Sequence, residues 1–173
     1  NISPVRQNID DLNKHLQRRA SLYLQLGLPS MIFQNKDILE VGPGSGHNSL
    51  YVASSSPSNY DLLEPNQRGQ EDIRQLYSSI DISLTQPNLI GMKLEDYNPE
   101  KKYDIVICEC WLGVSSHERE MMKKLGSFLK EGGILITTIG SPLGGLPNAI
   151  RRVLGWSLIK DSKDVNDNTR ILK

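Results

Sequence analysis

The residues from Asp37 to His47, Asp-Ile-Leu-Glu-Val-Gly-Pro-Gly-Ser-Gly-His, constrain the fold more than any other stretch of this chain. An apolar run closes on an acid, Glu40, and then meets glycines at positions 42, 44 and 46. The pattern predicts a buried strand, a tight turn with few side chains, and a helix start. Glycine there lets the backbone adopt φ > 0 and lets a ligand lie against the main chain. A strand, a glycine turn and a helix N-terminus in that order make a nucleotide-type binding site. The phosphate-cradling loop is excluded, because no Gly-Lys-Ser/Thr follows. The dinucleotide fingerprint G-x-G-x-x-G also fails, since His47 stands where its third glycine belongs.

A second short run, Tyr60-Asp-Leu-Leu-Glu-Pro-Asn66, ends on an acid about twenty residues past the turn. In a βαβ unit the second parallel strand delivers a carboxylate there, and one carboxylate can accept both hydroxyls of a ribose. Taken alone, a solvated strand-end acid explains Glu64 as well. Taken in order, Glu40-Val-Gly-Pro-Gly-Ser-Gly46 and Glu64-Pro-Asn66 resemble the first two motifs of the class I S-adenosylmethionine (SAM)-dependent methyltransferases. The resemblance implies that Glu40 favours the cationic α-ammonium of SAM, directly or through water. It implies that Gly42, Pro43, Gly44, Ser45 and Gly46 take its methionyl and ribose parts. Glu64, with Pro65 stopping the strand, would take the ribose hydroxyls.

The later motifs follow in the same order. Just past a third strand over 87–92, the resemblance implies adenine contacts: a backbone N–H from Leu94 and an acid. The family's usual aspartate falls on Lys93, so either Glu95 or Asp96 takes that role. Tyr103-Asp-Ile-Val-Ile resembles the opening of strand four, and its far end implies Cys108, Glu109, Cys110 and Trp111 beside the methionyl arm and the acceptor. Neither Asn-Pro-Pro-Tyr nor Asp-Pro-Pro-Tyr occurs there, which argues against adenine-N6 DNA methylation. Phe128-Leu-Lys-Glu-Gly-Gly133 resembles the turn into strand five, with Glu131 replacing a proline.

The expected fold is α/β: a doubly wound, mainly parallel sheet lacking its last strands in this chain. Residues 1–173 form a single SAM-binding domain in this expectation, with its core at 37–138. An N-terminal helical segment (1–35) carries a helix from Val5 to about Leu26. Ile9, Leu12, Leu16 and Leu24 are its apolar stripe, and it is either a lid or a packing helix. The segment 140–173 offers one basic amphipathic helix, Asn148 to Leu158, and a polar tail. That helix is a cover over the site, a surface helix or a membrane-surface element. The resemblance implies a seven-stranded sheet; with no further strand pair legible and no initiator Met at Asn1, the expectation is a fragment lacking strands six and seven.

Charge and cysteine content narrow the partners. Twenty basic residues balance twenty acidic ones, so nucleic acid has no electrostatic footprint. No run is long enough to cross a membrane and no signal pattern appears. Cys108 and Cys110 lie two apart on one strand, too constrained for a disulfide and too few for a metal site. Reduced thiols in the cytoplasm are expected.

The expected function is methyl transfer from SAM to a small-molecule or other non-DNA acceptor, leaving S-adenosylhomocysteine. A non-catalytic SAM- or nucleoside-binding module and an NAD(P)-dependent oxidoreductase are the alternatives. His47 touches the carboxylate end of SAM or is an ordinary first-turn residue. His117 is a general base on the acceptor side or an exposed helix-start residue. The catalytic residues and the oligomeric state stay open.

Overall fold

The structure is a computed structural model describing residues 9, 11–80, 83–109, 117–138 and 142–159. Its elements run in the order α1 (Leu12–Gln25), β1 (Asp37–Val41), α2 (Ser49–Ala53), β2 (Asn59–Leu63), α3 (Gln67–Ser79), β3 (Asn88–Ile90), β4 (Tyr103–Cys108), α4 (Glu118–Ser127), β5 (Leu129–Thr137) and α5 (Pro142–Ile159). The five strands form one sheet in the order β3-β2-β1-β4-β5, and every neighbouring pair is parallel. β1 lies between β2 and β4, with Ile38 facing both Tyr60 and Ile105 across the ladder. The chain order reverses there, and such a switch point opens a crevice at the carboxyl ends of the strands. Among the described residues no strand follows β5.

Both faces of the sheet are covered, which explains the continuous apolar runs. Successive side chains of a strand point to opposite faces. Ile38, Ile105 and Ile107 join Tyr23, Leu50, Tyr51 and Ile73 in one cluster, beneath α1, α2 and α3. Leu39, Val41, Val106 and Cys108 join Met121, Leu125 and Phe128 in the other, beneath α4. This parity decides which strand-end residues share the crevice.

At the opposite edge, the Tyr-Asp opening of β4 has a physical explanation. The Asp104 carboxylate accepts the Asp37 N–H at 2.8 Å, and Lys130 bridges Asp37 and Asp104 at 2.7 and 3.0 Å. Inside the sheet, buried Asp61 accepts the Tyr103 hydroxyl at 2.6 Å and Asn88 Nδ2 at 3.2 Å, and pairs with Lys101 at 2.8 Å.

Several boundaries differ from the sequence expectation. Within α1 the inward face runs through Leu12, Leu16 and Ala20 to buried Tyr23, whereas Leu24 is 64% exposed and leaves the stripe. Each step of four overshoots a full turn by about 40°, so a third such step carries Leu24 off the face, whereas a step of three from Ala20 returns Tyr23 to it. The expected start at Val5 lies outside the described residues. β3 and β4 are shorter than expected, ending at Ile90 and Cys108, and residues 110–116, including Cys110 and Trp111, lie outside the described set. α5 begins at Pro142 rather than Asn148 and contains Pro147. The poor helix formers Gly144, Gly145 and Pro147 hid that start.

The chain divides into two compact units, Asn1–Thr138 and Ile139–Lys173. The first holds the sheet and α1 to α4; the second contributes α5, whose Leu146, Ile150, Val153, Leu154 and Trp156 are exposed.

Replacing Tyr103 tests the internal network. Tyr103→Phe withdraws one hydroxyl from a buried carboxylate and is expected to lower unfolding free energy by about 1–3 kcal/mol in urea titration. An unchanged midpoint would mean that Asp61 is fully satisfied without it.

Candidate functional site

The glycine turn follows directly from the end of β1. Gly42, Gly44 and Gly46 adopt φ of 72°, 61° and 78°, in the left-handed region that disfavours side chains. Gly42 N–H donates to Leu63 O at 3.0 Å, tying the turn to β2, and Gly46 N–H donates to Pro43 O at 3.0 Å. A Cβ on Gly46 would lie 2.7 Å from Ile73 Cγ1, and one on Gly69 would lie 2.9 Å from Gly44 O. α3 therefore packs directly on the turn. Ser45 is buried and Pro43 half-buried. His47 does not open the helix as expected: α2 starts at Ser49, and His47 stays in the turn with Nδ1 2.8 Å from Ser45 Oγ. Its carbonyl accepts His15 Nε2 at 2.9 Å, which brings α1 to the turn.

Three buried or half-buried carboxylates stand at the carboxyl ends of β2, β1 and β4, each with different partners. Glu64 accepts Gly44 N–H at 3.0 Å and Asn66 N–H at 2.9 Å, one at each oxygen. Burial raises its pKa above the usual carboxylate value, and the two N–H donors oppose that rise. Pro65 beside it is exposed.

Glu40 is 7% exposed; the Ser49 hydroxyl donates to one oxygen at 2.9 Å and the Tyr60 hydroxyl donates to the other. Glu40 is expected to favour a cationic group directly or through water; in this structure both of its oxygens accept from side-chain hydroxyls. Its side chain lies on the sheet face of Ile38, Ile105 and Ile107, under α1 to α3. Burial pushes its pKa up to about 7 against those hydroxyl donors.

Glu109 lies just past β4 on that same face by parity. Arg19 Nη2 donates to both of its oxygens at 2.8 Å, and the Tyr23 hydroxyl donates to it at 3.0 Å. The two charged side chains are 11% and 14% exposed. The Arg19 guanidinium also stacks over the Tyr23 ring, 5.0 Å from its centre.

The other expected residues differ in exposure. Cys108 is fully buried among the α4-side core residues, so its thiol points away from the crevice, and burial pushes its pKa up to about 12. Leu94 is buried in that same cluster. Glu95 and Asp96 are exposed on the turn that follows β3, with the Glu95 carbonyl accepting the Lys124 ammonium. His117 stands at the N-terminus of α4 and borders a cavity of about 470 Å³ with Glu95, Glu120, Met121 and Lys124. Among the described residues no cluster of His, Cys, Asp and Glu could hold a metal ion.

Sequence reasoning missed Arg19, Tyr23, Ser49 and Tyr60. One signal for the first two was available. Leu12, Leu16, Arg19 and Tyr23 recur at helical spacing, so Arg19 lies on the inward face of an amphipathic helix.

Comparison with known proteins fixes the family. The model of the methyltransferase domain family matches residues 12–166. The chain belongs to the methyltransferase domain family. It is 31% identical over 106 residues to malonyl-[acyl-carrier protein] O-methyltransferase 2 of Ilyobacter polytropus, covering 60% of this chain and 39% of that protein. It is 24% identical over 156 residues to ribosomal RNA small subunit methyltransferase G of Alkalilimnicola ehrlichii, covering 87% of this chain and 65% of that protein. The magnesium protoporphyrin IX methyltransferase of Synechocystis PCC 6803, solved with bound S-adenosylhomocysteine, shares the fold with a TM-score of 0.63 at 16% identity. That match covers 87% of this chain and 69% of that one. The methyltransferase chain thus spans 39% to 65% of the length of these two curated relatives. Membership of this family sets aside the nicotinamide-dependent alternative.

Glu40 generates a pH prediction. Between the ordinary carboxylate pKa and about 7, the folded methyltransferase chain holds a proton at Glu40 that the unfolded chain has released. The folded state binds more protons there, so this group lowers stability as pH rises through that window. Relative to Glu40→Gln, the wild type is expected to lose on the order of 3 kcal/mol from about pH 5 to above pH 7. Urea titration of both proteins across that range checks it; a difference independent of pH would contradict the assignment.

Proposed function

We propose that this methyltransferase chain binds SAM across the Gly42–Gly46 turn and transfers the methyl group to a small-molecule or other non-DNA acceptor, releasing S-adenosylhomocysteine. The observation that carries the proposal is the Glu64 carboxylate, fixed at the turn by Gly44 and Asn66 N–H groups at 3.0 and 2.9 Å. Each carboxylate oxygen can accept a further hydrogen bond, which suits the two adjacent hydroxyls of a ribose. The residues fit a nucleoside on a second count. Three consecutive alternate positions lack side chains and hold φ > 0, so main chain lines the approach beside Glu64.

When bound, SAM supplies a methyl group already activated on a sulfonium, so the protein's task is binding, alignment and exclusion of water. Glu64 fixes the ribose, and the glycine turn lets the 5′ side of the nucleoside lie along the main chain. Leu94 and an acid at Glu95 or Asp96 are proposed for adenine. Proton removal is needed only for an O–H or N–H acceptor. The balanced charge of the chain favours a small acceptor over RNA, although one relative is named for ribosomal RNA. The SAM-binding core is assigned to residues 37–138, within the first compact unit, working in the cytoplasm. Among the described residues no helix is long and apolar enough to cross a membrane.

Calorimetric titration with SAM, S-adenosylhomocysteine and NADH tests the proposal. The two adenosyl compounds are expected to bind and NADH to give no heat. Glu64→Ala is expected to weaken S-adenosylhomocysteine roughly tenfold or more. Equal affinities for wild type and variant would remove Glu64 from the site.

A further inference from the structure

The overall charge balance conceals an uneven distribution. Residues 1–138 carry fourteen basic against seventeen acidic side chains, whereas residues 139–173 carry six against three. The second compact unit is therefore the basic one, and an asymmetry of this kind points to an anionic partner. Its described element, α5, has two arginines and no acid along its 18 residues.

α5 also presents an apolar face to solvent. Leu146, Ile150, Val153, Leu154 and Trp156 are each 50–66% exposed. At 3.6 residues per turn they fall within an arc of about 160°. Arg151 and Arg152 stand on its two margins, about 60° past Leu154 and about 40° past Trp156. Ser157 is the one polar residue of the arc, and its hydroxyl donates to the Val153 carbonyl at 2.9 Å, inside the helix.

An apolar arc edged by cations fits a bilayer surface. The arc enters the acyl boundary while the guanidiniums reach the headgroup phosphates. Trp156, apolar with one N–H, suits the same depth. Two arginines at mid-helix oppose burial in hydrocarbon, and no helix among the described residues is long and apolar enough to span. The helix therefore lies on the surface rather than crossing it. Face-to-face pairing of two α5 helices would gather four arginines with no acid from either helix to offset them. Single-stranded RNA is held through aromatic stacking, and this arc is aliphatic except for Trp156. We propose that α5 docks in the plane of an anionic phospholipid bilayer, its apolar arc inserted and Arg151 and Arg152 on the lipid phosphates.

Co-sedimentation of the 173-residue chain with sucrose-loaded vesicles tests the proposal. Vesicles of phosphatidylcholine mixed with phosphatidylglycerol are expected to bind the chain, and phosphatidylcholine alone to bind it roughly tenfold less. Added salt is expected to weaken the binding. Ile150→Asp with Val153→Asp, both at exposed positions, is expected to weaken it roughly tenfold or more, as is Arg151→Gln with Arg152→Gln. In a Trp111→Phe background Trp156 is the only tryptophan, and its emission is expected to move to shorter wavelength on the mixed vesicles. Failure of the wild type to bind mixed vesicles would overturn the inference, as would equal binding by the Asp variant or to the two lipid compositions. A dimer in sedimentation equilibrium that the Asp variant abolishes, without vesicle binding, would assign the face to a second copy instead. Binding to poly(U) that the Gln variant abolishes, again without vesicle binding, would assign the arginines to RNA.

Discussion

Carboxylates taken out of water must be matched by donors, and three of them crowd the carboxyl ends of adjacent strands in this protein. The solutions differ, and the differences organise the structure. Glu64 is held by backbone N–H groups of the glycine turn and of the residue leading into α3. Glu40 is held by side-chain hydroxyls from α2 and β2. Glu109 is held by a cation and a phenol that come from α1, some ninety residues away along the chain. Each match therefore also fixes a piece of the fold: the turn against α3, α2 against the sheet, and α1 against β4.

The same matches assign different properties to chemically identical groups. Glu40 is buried with only neutral donors in direct contact, so its pKa is pushed up to about 7. Glu64 has oriented backbone donors that resist the effect of burial. Glu109 has a full positive charge beside it. A ligand with two adjacent hydroxyls suits Glu64.

Much of this was legible in the sequence because it is local. The strand, glycines and helix around Gly44 fall within a dozen residues, and the acid after β2 follows at a fixed βαβ distance. The order of motifs made the parallel sheet readable without any single motif being decisive. What escaped was non-local or depended on strand parity. Arg19 and Tyr23 find Glu109 only through the tertiary fold, and Tyr60 was read as a strand residue rather than as a donor to Glu40. Cys108 was placed at the site because it is near the strand end, although counting alternate positions from Val106 puts it under α4. Leu24 was placed inward for its apolar side chain, where the helical spacing puts Tyr23 instead. The early start of α5 was obscured by glycines and a proline that disfavour helix locally.

The central claim is that a nucleoside lies at the carboxyl edge of the sheet, on Glu64 and the Gly42–Gly46 turn. A crystal structure of the chain with S-adenosylhomocysteine tests it most directly. The account predicts ribose hydroxyls within hydrogen-bonding distance of Glu64 and a thioether crossing the Gly42–Gly46 turn. Density for the ligand away from the glycine turn, or ribose hydroxyls turned from Glu64, would contradict it.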